Sequence, residues 1–115
     1  MMFDISHLAT RQLRDYDAHS PGTVFAEQVS LSEEQAYAVQ AEVCRLGEQR
    51  GELVIGYKVG CTSPGIQLQL GIDHPVFGYL FDSDSWTTGI TLPSSRFAGL
   101  AIEGELAVRL ARDIP

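Results

Sequence analysis

Positive charge, cysteine and long apolar runs are all scarce in this sequence. Eight Lys and Arg stand against fifteen Asp and Glu, a net charge of -7. That balance excludes nucleic acid, which draws basic faces, and an anionic membrane surface. A small anionic ligand stays possible, because screening acts over about 8 Å at physiological salt and a local cation reverses the sign inside a pocket. The two cysteines, Cys44 and Cys61, form no CxxC and have no histidine at metal-ligand spacing. They read as reduced cytosolic thiols, at least one of them buried. No apolar stretch reaches the roughly 18 residues of a membrane span. The opening MMFDISHLATRQLRDYD lacks the basic-then-apolar order of a secretory signal, so a cytoplasmic protein is expected.

What is present suits an ordinary globular chain of 115 residues, 44% hydrophobic and 20% charged. Ile5, Leu8, Ala9, Leu13 and Tyr16 recur at helical spacing and predict a helix over 4–18, with Asp4 or Ser6 as its cap. HSPGT breaks it through Pro21 and Gly22. Ser32 and Gln35 make a capping box, flanked by Leu31 and Ala36 as a staple. Ala36, Val39, Val43 and Leu46 then line one helical face, and Gly51 ends the helix near residue 50. From residue 52 the character changes. ELVIGYKVG, HPVFGYLF, TTGITL and GLAIEGELAVRLA read as strands, with a short helix in TSPGIQLQLG. Helices first and strands after predict an α+β fold. A helical region over 1–50 would be followed by the first strands of an incomplete mixed β-core over 51–115.

Chemistry concentrates in two places. In the last expected strand Glu103 and Glu105 share a face with Ala101, Ala107 and Arg109, since residues i and i+2 point the same way. Their Cα atoms would lie about 6.6 Å apart, close enough for one oxygen of each to reach adjacent corners of an octahedral ion. Carboxylate-only ligation suits Mg²⁺ or Mn²⁺ rather than zinc. Gly104 between them suggests a close approach by a backbone or a ligand. The competing readings are a solvated sheet face, or pairing of the glutamates with Arg109. The second place is Lys58 in IGYKVGCTSP, in phase with Gly56 and Gly60. Its ammonium could neutralise an anionic substrate or move a proton, or it could simply guard an exposed edge. Thr62 and Ser63 could cap the helix that follows. His7, His19 and His74 are scattered without ligand spacing, and Trp86 reads as a loop anchor.

IGYKVGCTSPGIQLQLGIDHPVFGYLFDS followed by IEGELAVRLARDIP resembles the N-terminal portion of the 2-keto-4-pentenoate hydratases, of the fumarylacetoacetate hydrolase superfamily. The resemblance covers about residues 31 to 115. It implies that Glu103 and Glu105 are metal ligands, that Lys58 and Asp82 are catalytic, and that Thr62 and Ser63 border the substrate. It also implies a Mg²⁺ or Mn²⁺ cofactor and a homo-oligomer. The substrate would be a small anionic 2-oxo or 2-hydroxydienoate from aromatic catabolism. Water would add to a 2-hydroxy-2,4-dienoate to give a 4-hydroxy-2-oxo acid, the metal acting as Lewis acid on the enolate. A 4-oxalocrotonate-type decarboxylase or an acylpyruvate hydrolase would use the same metal–enolate chemistry. Family members are more than twice as long and take their third carboxylate from the remainder, so this chain is expected to be a truncated form with little activity. A non-catalytic chain that oligomerises through an unpaired last strand is the remaining alternative.

Overall fold

The computed structural model describes residues 4–20 and 22–113. The turn expected at Pro21 and the end of LARDIP, residues 114–115, lie outside the described residues. The first helix, α1, runs Ile5–Asp17, and the Asp4 carboxylate caps it by accepting the His7 N–H at 3.1 Å. A one-turn helix not expected from sequence, α2 (Thr23–Ala26), follows. The third, α3, spans Glu33–Gln49 with the Ser32–Gln35 capping box formed on both sides. Arg50 ends it and Gly51 takes φ 98°, the left-handed conformation that stops a helix.

These three helices bury their own small core. Leu8, Ala9, Val24 and Val39 pack together, with Val43 and Leu46 partly buried against them. Ala36, expected on that face, is exposed. Buried Asp15 ties α1 to α2: its carboxylate accepts both the backbone N–H and the hydroxyl of Thr23, each at 2.7 Å. Such satisfaction is what makes a buried carboxylate tolerable.

On another side α3 meets a hairpin. Strands β1 (Val54–Gly60) and β2 (Val76–Phe81) pair antiparallel, Lys58 opposite Gly78 and Val54 opposite Phe81. The Tyr37 ring stacks on Phe77 at 5.0 Å, and Gln40 Nε2 donates to the Phe77 carbonyl at 3.2 Å. Between the strands lies α4 (Pro64–Leu70), whose first turn is capped by Ser63 Oγ and which ends at Gly71. Cys61, between β1 and this cap, adopts φ 56°, and its carbonyl accepts from Gln67 Nε2 at 2.8 Å. Cys44 is buried, which pushes its thiol pKa up, and Cys61 is half-buried.

The α+β class holds, and among the described residues the sheet has two antiparallel strands. Two expected strands do not form. TTGITL is irregular, with a turn at Thr88–Gly89, and GLAIEGELAVRLA runs unpaired. The reason is physical: a strand needs a neighbour for its N–H and C=O groups, and alternation alone supplies none. Ile102 and Leu106 on the apolar face are 91% and 100% exposed. Among the described residues no helix is long and apolar enough to cross a membrane.

Candidate active site

Glu103 and Glu105 lie outside any ladder, yet they point the same way and meet one cation. Lys58 Nζ, from the middle of β1, donates to Glu105 Oε1 and lies 3.6 Å from Glu103 Oε2. The Glu105 hydrogen bond is the main cause that raises the Lys58 pKa above the ordinary lysine value; desolvation opposes it. The three side chains are 47%, 70% and 58% exposed for Lys58, Glu103 and Glu105. An ion pair this open contributes little to folding. Arg109, the expected competitor for the glutamates, is not the cation they grip. The close approach expected at Gly104 is also missing: a Cβ there would meet nothing within 4 Å among the described residues.

The other expected site residues are placed differently. Ser63 caps α4 and Thr62 beside it is exposed. Asp82 sits at the far end of the hairpin. Its Oδ1 accepts the N–H groups of Leu53 at 2.8 Å and Ser83 at 3.0 Å. Lys58 is four residues along β1 from Val54, which is about 13 Å of strand. The structure therefore joins Lys58, Glu103 and Glu105, and keeps Asp82 apart at the start of β1.

The donor set can be tested against a hard divalent ion. Among the described residues no group of three or more His, Cys, Asp or Glu converges to hold a metal. The two glutamates do converge, and the Lys58 ammonium occupies the position of a cation between them. Hard carboxylate oxygens suit Mg²⁺, which leaves its other corners to water and ligand oxygens. The pair fits such an ion as part of a site.

Sequence reasoning passed over a concavity of about 440 Å³ lined by Tyr16, Arg50, Glu52, Asp84 and Arg96 among others. None of the expected site residues lines it. Its charges satisfy one another: Arg50 pairs with Asp17 and Glu52, and Arg96 pairs with Asp84 and stacks on Trp86 at 4.7 Å. Tyr16 donates to Asp84 at 2.5 Å, and burial together with that bond pushes its pKa up to about 12. Trp86 is thus an anchor, as its polar setting suggested. This cluster fastens α1 and the end of α3 to residues 83–99, and its only sequence signal was scattered charge.

No family model matches the chain. Individual proteins do. It is 42% identical over 79 residues to the 2-keto-4-pentenoate hydratase of Burkholderia vietnamiensis, covering 69% of this chain and 30% of the relative. It is 34% identical to the 2-hydroxyhexa-2,4-dienoate hydratase of Comamonas testosteroni, across 98% of this chain and 45% of the relative. With the 4-oxalocrotonate decarboxylase of Pseudomonas putida it shares 31% over 102 residues, 89% of this chain and 38% of that one. The solved 4-oxalocrotonate decarboxylase from Pseudomonas putida G7, complexed with magnesium and adipate, superposes with a TM-score of 0.62 at 31% identity, over 69% of this chain and 30% of that one. The same enzyme has been solved with calcium and acetate. The chain thus spans between 30% and 45% of the length of these relatives. In sequence and in fold, and as a portion of the full length, this chain belongs to the family of 2-keto-4-pentenoate hydratases and 4-oxalocrotonate decarboxylases.

Proposed function

We propose that this chain carries the metal-gripping part of a hydratase active site, which adds water to a 2-hydroxy-2,4-dienoate in the breakdown of aromatic compounds. The observation that carries the reading is the convergence of Glu103 and Glu105 on a single cation. The two glutamates would hold Mg²⁺ or Mn²⁺, and that ion would supply Lewis acidity for the enolate of the substrate. Lys58 would balance the substrate carboxylate or carry a proton to and from it. Thr62 and Ser63, just past the end of β1, would border the substrate. Asp82 would act from behind, since its carboxylate fixes the start of the strand that carries Lys58. Ketonisation with protonation at C5 gives the conjugated enone, and water at C4 gives a 4-hydroxy-2-oxo acid. Residues 1–50 would serve as a helical scaffold and 51–115 as the beginning of the catalytic core.

A decarboxylase is the second reading, favoured by the structural likeness to 4-oxalocrotonate decarboxylase at a TM-score of 0.62. Both readings keep the expectation of a cytoplasmic homo-oligomer. With two converging carboxylates and between 30% and 45% of the length of the relatives named above, the chain alone is expected to turn over little substrate.

The test is a Mn²⁺ titration read by thermal shift on the wild type and on Glu103→Gln, with sedimentation velocity on the same samples. The wild type should gain melting temperature with metal and the variant should not, and the wild type should sediment as a dimer or larger. Equal responses in both proteins would remove the metal reading. Carbon dioxide released from 4-oxalocrotonate, with no hydration of 2-hydroxypenta-2,4-dienoate, would favour the second reading.

A further inference from the structure

Lys58 stands on a strand face whose positions nearest to it carry no side chain. Its neighbours two residues away along β1 are Gly56 and Gly60, and its partner across the ladder is Gly78. A Cβ at Gly78 would touch only Gln40 Oε1, at 3.8 Å. Glycine before it, after it and opposite it leaves the lysine without immediate neighbours, although Leu80 and Val76, opposite Gly56 and Gly60, stand on the same face, and its four-carbon stem has room to change direction between them. At one end of that swing the ammonium lies between Glu103 and Glu105, which stand on either side of a glycine in the unpaired terminal segment.

We propose that Lys58 holds the place of the divalent ion: ammonium and metal occupy the two glutamates in alternation, and metal loading releases the lysine towards the substrate. This rests on the metal reading of Glu103 and Glu105 given above. The positions overlap, because oxygens that converge on one ammonium are those that would converge on one hard cation. The two cannot share the site, since both are positive and a divalent ion repels a neighbouring ammonium. Exchange is easy because the pair is solvent-exposed and so is weakly held. The consequence is an order of events. Metal enters first, and only then does the chain present a free cation to an anionic substrate.

The experiment measures free Mn²⁺ by electron paramagnetic resonance with the full chain as wild type, Lys58→Met, Lys58→Arg and Glu105→Gln. Removing the competing ammonium should tighten Mn²⁺ binding about threefold to tenfold in Lys58→Met, the range expected when an exposed ion pair and a like charge are both removed. Lys58→Arg, which keeps the charge, should stay close to wild type. In parallel, a carbodiimide should join Lys58 to Glu105 in the metal-free wild type, read as a cross-linked peptide by mass spectrometry, and excess Mn²⁺ should suppress that product. Unchanged or weaker binding in Lys58→Met, or a cross-link indifferent to Mn²⁺, overturns the exchange while leaving the metal site standing. Mn²⁺ binding in none of the four proteins removes the site itself, and the exchange with it.

Discussion

The three helices at the start and the unpaired segment at the end are both amphipathic, but their fates differ. In the first region Ala9 and Val24 are 0% and 1% exposed, because α1, α2 and α3 supply one another's apolar partners. In the second, Leu106 is wholly exposed and no ladder holds the backbone. A pattern states which face wants covering; it does not supply the cover. The helical region finds its cover within fifty residues, whereas the terminal segment meets the hairpin through the exposed, weakly held Lys58 ion pair.

The sharpest way to break this contrast is a pair of truncations. Val24→Ala should cost about 2 kcal/mol in a denaturant melt, from lost burial and the cavity left behind. Leu106→Ser should change the same melt by less than about 0.5 kcal/mol, as at exposed sites generally. A comparable loss from Leu106→Ser would mean that the segment is covered in solution and would remove the contrast. Next in size, Ser32→Ala removes the capping box of α3 and should cost about 1 kcal/mol. No change there would deny the helix its local start.

What was legible in the sequence follows the same division. The boundaries of α3 were, because Ser32, Gln35 and Gly51 act within one or two turns. The hairpin was, through the β-branched and aromatic runs of β1 and β2. The turn of α2 was not: Gly22 offers no side-chain cap, and the helix is held by Asp15 from α1. Strand alternation correctly placed Glu103 and Glu105 on one side even though no strand forms. It named Arg109 as their neighbour because Arg109 is near in sequence, whereas Lys58 lies 47 residues away. Local patterns carry facing; they do not carry a contact between distant segments.

The smallest expected effect separates the regions by acidity. His74 lies between two carboxylates, Nδ1 2.7 Å from Asp73 and Nε2 2.7 Å from Glu33 at the start of α3. The Asp73 hydrogen bond first, and Glu33 after it, raise the imidazole pKa above its ordinary value. A raised folded-state pKa means stability that is full below about 6.5, the unfolded value, and is lost as pH rises through the folded value. Melting temperatures between pH 5 and pH 8 should therefore fall slightly more for the wild type than for His74→Gln. Parallel profiles would show that the histidine does not couple α3 to the loop before β2.

The backbone at Cys61 has a consequence of its own. A residue with a Cβ held at φ 56° sits in a conformation that costs roughly 1 kcal/mol or more, and glycine would relax it. Yet that kink turns the chain sharply between Lys58 and the Thr62–Ser63 pair, and the Gln67 side chain grips its carbonyl. Glycine would take the same turn without that cost, so the corner is a point where a side chain is kept at the expense of a relaxed backbone.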